Sequence, residues 1–133
     1  ATQVPLPEGA TALVYSRGSV PATTLGMIQK GMTSVTAASK TTYTAVANDQ
    51  IVVDTAANVV TITLPATPAV GDEVTIMDGS ATGGFATNNC VVARNGSNIE
   101  GAASDDSLTV NNQCVTLIYA NATKGWLYKS TNQ

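Results

Sequence analysis

Histidine, the side chain that most often moves protons near neutral pH, does not occur among the 133 residues. General acid–base or nucleophilic catalysis would therefore have to rest on carboxylates. The candidates are Asp49, Asp54, Asp72, Glu73, Asp78, Glu100, Asp105 and Asp106. Paired carboxylates cleave glycosidic bonds, and the adjacent Asp105-Asp106 is the pair to weigh for that chemistry. Most of the eight, however, stand at expected turns and strand ends, where Asp serves as a turn former. Asp105-Asp106 also lacks the Asp-x-Asp-x-Asp-Gly spacing of an EF-hand calcium loop, so a solvated loop is the plainer reading. Cys90 and Cys114 show no CxxC spacing, and with no His a zinc site has no donor set. Each opens an apolar run, which reads either as two small buried residues or as a disulfide between them. Gly83-Gly84 is followed by Phe85-Ala86-Thr87 rather than the Lys-Ser/Thr of a phosphate cradle. Trp126 and Tyr128 share a strand face and read as core or as a sugar-stacking platform. The expectation is a chain that is not an enzyme, with no catalytic residue, cofactor or metal site.

Composition points the same way. The chain is 44% hydrophobic but only 11% charged and 5% aromatic, against about 25% charged residues in ordinary globular domains. Thr, Ser, Asn, Ala and Gly take the place of charge, giving a neutral hydrogen-bonding surface suited to strands and turns. Six basic residues, Arg17, Lys30, Lys40, Arg94, Lys124 and Lys129, are scattered singly, and the net charge is −3. A nucleic-acid partner needs clustered Lys or Arg, so none is expected. Apolar runs of about four or five residues fall far short of the roughly twenty that span a bilayer, so no membrane contact is expected either. Ala1-Thr2-Gln3-Val4-Pro5 has neither the basic start nor the apolar stretch of a secretory signal, which suggests synthesis in a cytoplasm. Residues 95–97 and 121–123 match the N-glycosylation pattern, which carries meaning only in a secretory pathway.

Two regions position whatever the chain presents. Residues 1–40 carry Pro5, Pro7 and Pro21, four glycines and one strand-like run, residues 11–15. They read as an extended N-terminal arm whose apolar side chains need a partner surface, with Val4, Leu6, Leu25, Met27, Ile28 and Met32 as the contact candidates. From Thr41 to the C-terminus, short β-branched runs recur every 8–12 residues between turn signals, the pattern of a sandwich or barrel. Strands are expected near residues 43–46, 50–54, 58–64, 73–78, 89–93, 98–100, 107–110, 114–119 and 124–129. Alternation places Val60, Ile62, Leu64, Val74, Ile76, Val115 and Leu117 inward. Met77 and Ile118 fall on the opposite faces, where their apolar surface is available to sister subunits. The expected fold is all-β: an antiparallel, jelly-roll-like β-sandwich over residues 41–133, preceded by the arm.

The stretch Tyr43-Thr44-Ala45-Val46-Ala47-Asn48-Asp49-Gln50-Ile51-Val52-Val53-Asp54 resembles a module of tailed-phage virion proteins. The similarity continues through Thr63-Leu64-Pro65-Ala66, Gly71-Asp72-Glu73-Val74-Thr75-Ile76, Phe85-Ala86-Thr87-Asn88-Asn89, Arg94-Asn95-Gly96-Ser97, Val115-Thr116-Leu117-Ile118-Tyr119 and Gly125-Trp126. It covers about residues 41–129. Such modules occur in capsid decoration proteins and in distal tailspike or tail-fibre domains, and the resemblance implies a β-sandwich that commonly forms homotrimers. A short arm in place of a long shaft favours a decoration, or cement, protein. It would trimerise on the outer capsid surface of the virion and stabilise the shell through contact with the major capsid protein. The alternative is a receptor-binding tip that recognises host-surface glycans.

Overall fold

The computed structural model describes residues 31–131, which form nine strands and no helix. The strands are β1 (Met32–Thr36), β2 (Thr42–Thr44), β3 (Asp49–Asp54), β4 (Val60–Thr63), β5 (Glu73–Asp78), β6 (Cys90–Ala93), β7 (Asp106–Leu108), β8 (Cys114–Asn121) and β9 (Gly125–Thr131). They make a five-stranded sheet of order β1-β3-β5-β8-β9 and a four-stranded sheet of order β2-β4-β6-β7. Successive strands from β1 to β6 alternate between the sheets. Each therefore pairs in parallel with the strand two places earlier: β3 with β1, β4 with β2, β5 with β3, and β6 with β4. The chain thus winds as a flattened coil of three turns. Antiparallel strands finish it, β7 on β6, β8 on β5 and β9 on β8.

This arrangement corrects the expected antiparallel, jelly-roll-like sandwich: the protein is all-β, but its two sheets are mixed and mostly parallel. The physical reason lies in the corners. Asn48, with φ of 69°, and the turn at residues 55–58 look like hairpin signals. Here they carry the chain from one sheet to the other, so the neighbouring strand in the same sheet is a full coil turn away. A parallel pair needs a long crossover, and a strand of the opposite sheet supplies it. Alternation does not reveal direction, because each sheet here covers only one face and so keeps the inward-apolar pattern usual in antiparallel sheets.

Inward side chains of both sheets form one buried cluster: Val35, Ile51, Val53, Val74, Ile76, Val115, Leu117 and Trp126 from the five-stranded sheet, with Val60, Ile62, Cys90, Val92 and Leu108 from the other. Residues in register across the strands keep the cluster continuous, as in the row Ile51, Ile76, Val115. β1 lies inside the segment read as the arm, yet it is hydrogen-bonded to β3 and sends Val35 into the core. The strand-like run at residues 11–15 lies outside the described residues. Asn98–Glu100, expected as a strand, instead enters a tight turn.

Candidate functional site

The acidic residues at the C-terminal end of the coil come together around that turn. Ile99 and Ala102 exchange backbone hydrogen bonds of 3.0 and 2.9 Å, with Glu100 (φ 53°) and Gly101 (φ 83°) at the two left-handed positions between them. The turn docks on the outer edge of β9: the Trp126 N–H donates to the Asn98 carbonyl and the Glu100 N–H to the Trp126 carbonyl, both at 2.8 Å. Gly125 makes this approach possible, since a Cβ there would run into the Asn98 backbone. Beside the turn lies an open hollow of about 200 Å³ lined by Ile99, Glu100, Ala102, Ser104, Asp105 and Asp106.

The three carboxylates of the hollow are engaged in local bonds. Glu100 accepts the Tyr128 N–H at 2.8 Å, where the β8–β9 ladder shifts register. Asp105 accepts the Arg94 N–H at 2.9 Å. Asp106 accepts the Ser107 N–H at 2.8 Å and the Tyr128 hydroxyl at 2.5 Å. Burial raises the Tyr128 hydroxyl pKa above its ordinary value, and the bond to Asp106 and nearby negative charges add to the shift. Among the described residues no group of three or more His, Cys, Asp or Glu side chains is placed to hold a metal ion. The pair Asp105-Asp106 therefore serves turn and strand geometry.

Asp78, at the end of β5, has a structural task that the sequence did not single out. Its Oδ1 accepts the Ser80 N–H at 3.0 Å, and its Oδ2 accepts the N–H groups of Phe85 and Asn112 at 3.2 and 3.0 Å. One carboxylate thus ties the β5–β6 loop to the β7–β8 loop. Desolvation pushes its pKa up, but the bonds from Ser80, Asn112 and Phe85 outweigh that and hold it below the usual carboxylate range. Gly84 packs against this knot, where a Cβ would press on Asp78 Oδ2 and Asn111 Oδ1. The Gly83-Gly84 pair is explained by this loop.

Cys90 is buried and Cys114 partly exposed, and both are free thiols. Burial, with the charge of Asp78 as a second cause, pushes the Cys90 thiol up to about 12. Trp126 is fully buried, with its ring edge-on to Tyr119 at 5.6 Å between centroids. It therefore offers no face to a sugar, and the stacking platform drawn on Trp126 and Tyr128 loses its Trp.

The surfaces are more informative than the hollow. On the outer side of the four-stranded sheet, Thr42, Thr61, Val91 and Ser107 align across the strands, as do Thr44, Thr63 and Ala93. That face is largely hydroxyl. On the five-stranded sheet, Ser34, Val52, Met77 and Cys114 align, beside Ile118 and Leu127, giving an apolar face. Met77 and Ile118 belong to it as expected from alternation. Val52, Cys114 and Leu127 join them only once strand neighbours are known. The polar pair on this face, Thr75 and Thr116, is bonded hydroxyl to hydroxyl at 2.9 Å.

Of the expected partner-contact residues, Met32 lies on β1, the edge of the five-stranded sheet, and is 57% exposed. Val4, Leu6, Leu25, Met27 and Ile28 lie outside the described residues. Among the described residues no strand pairs with the outer edges of β1 or β2, and neither strand carries a charge. No helix among these residues is long and apolar enough to cross a membrane. The sequence matches no protein-family model, and no curated protein matches it.

Proposed function

We propose that this chain is a self-assembling capsid decoration protein of a tailed phage, which engages the major capsid protein and stabilises the shell by contact area rather than by chemistry. The sequence resemblance over about residues 41–129 motivates this reading. The parallel coil differs from the sandwich that the resemblance implied, so the surfaces carry the argument. The observation that supports it most is the free, uncharged edge of β1, with Met32 exposed where the N-terminal segment enters the sheet. Native sheet edges are usually blunted by Lys, Pro or a covering element, and an edge without these devices suits strand-to-strand contact with another protein.

The test is co-sedimentation of the full chain with undecorated phage capsids. Wild-type protein is expected to sediment with capsids at saturating, stoichiometric occupancy. Met32→Lys, which puts a charge on the edge, is expected to lower occupancy, and deletion of residues 1–10 to abolish it. Wild-type protein that stays in the supernatant would remove the decoration reading. Glycan-array binding by the same preparation would favour the receptor-binding alternative.

A further inference from the structure

We infer that the outer face of the five-stranded sheet is a self-association surface, occupied by a second copy of this chain. The inference extends the self-assembly part of the proposed function and concerns a different surface from the β1 edge. Three observations carry it. The first is chemical: Val52, Met77, Cys114, Ile118 and Leu127 are contiguous across β3, β5, β8 and β9, while the corresponding face of the other sheet is mostly Thr and Ser. An apolar face opposite a hydroxyl face marks the side to be removed from water.

The second is that drying this face strands little polar chemistry. Burying a hydroxyl without a partner costs free energy, but the Thr75 and Thr116 hydroxyls already satisfy each other at 2.9 Å. At the rim, Glu73 and Lys129 form an ion pair of 2.9 Å within the same chain. A second copy therefore meets a face whose rim charges are already balanced. A partner selected by charge would need the opposite arrangement.

The third is size. Five strands of five to eight residues, at spacings of about 4.8 Å and a rise of about 3.3 Å per residue, give a flat footprint of about 400 Å². Two such faces, with side-chain relief added, reach the roughly 1,000 Å² that a specific interface needs. Stacked sheets lie about 10 Å apart and nearly aligned, which brings Met77 and Cys114 of both copies to the centre.

The experiment is light scattering on the full chain across a concentration series, with alkylation of Cys114 read in the same samples. Buried Cys90 is the internal control. The expected result is a mass above the 13.5 kDa of one chain, falling to one chain in Met77→Glu, while Thr63→Lys on the other sheet leaves it unchanged. Alkylation of Cys114 should slow about tenfold when nine-tenths of the chains are associated. If Met77→Glu does not fold, the Cys114 rate in wild-type protein decides alone. A mass of three chains with Cys114 protected supports the same face in a three-fold assembly. A single-chain mass at every concentration overturns the inference. So does an assembly in which Cys114 stays freely reactive. A single chain with Cys114 protected also overturns it and assigns the face to the chain's own residues. Neither readout involves capsids, so failure here is distinct from failure of capsid binding.

Discussion

Replacing Asp78 with Ala removes the acceptor for three backbone N–H groups, those of Ser80, Phe85 and Asn112. A hydrogen bond to a charged group contributes about 1.5–3 kcal/mol when well shielded. Asp78 is only partly buried, and water can replace some of each bond, so about 1 kcal/mol apiece is the appropriate scale. The expected loss is then about 3 kcal/mol, a large share of the 5–15 kcal/mol that holds a typical domain together. With a urea slope of about 1.5 kcal/mol/M, the midpoint of unfolding should fall by about 2 M. Asp78→Asn keeps one carbonyl oxygen, which can face either Ser80 or the Phe85 and Asn112 pair, so it should lose about half as much. The pH dependence has a definite sign. The folded carboxyl sits below its ordinary value, so its contribution is fully present above the unfolded pKa of about 4 and is lost as pH falls through the lower folded value. The gap between wild type and Asp78→Asn should therefore narrow in acid. Urea unfolding followed by Trp126 fluorescence at several pH values measures both effects. A change under about 0.5 kcal/mol for Asp78→Ala, or a gap to Asp78→Asn that stays constant down to about pH 2, would refute the claim that this carboxylate ties the two loops.

Other substitutions test the remaining supports. Gly125→Ala places a Cβ against the Asn98 backbone at a left-handed position and should cost about 3 kcal/mol or more by lifting the 98–102 turn off β9, measurable as a lower thermal midpoint. Ile76→Ala empties the centre of the row Ile51, Ile76, Val115 and should cost about 2–5 kcal/mol in chemical denaturation. Under native conditions the buried Cys90 thiol, held mostly protonated with a pKa of about 12, should resist alkylation, and mass spectrometry should find label on Cys90 only after denaturant is added.

Much of this protein is determined by its sequence alone, because alternation and turn residues act over a few positions. Glu73–Asp78 was legible to the residue, and β3, β6, β8 and β9 to within one or two. Asn48, Asn95 and Asn112 take the left-handed conformations that their residue type permits. Val74, Ile76, Val115 and Leu117 point inward as their alternation with Thr requires. β1 was not legible as part of the sheet, because Met32–Thr36 follows a Gly- and Pro-punctuated stretch and holds one large inward residue, Val35. Sheet order lay beyond the sequence as well. Whether Asn48 turns the chain back beside β2 or across to the other sheet depends on which partner lets both faces close over one core, and no local signal carries that choice. The apolar outer face follows from the same decision, since Val52, Met77 and Cys114 become neighbours only when β3, β5 and β8 pair. The roles of Asp78 and Glu100 are tertiary too: each carboxylate accepts N–H groups from loops or strands distant in sequence, which only the folded coil brings within 3.2 Å.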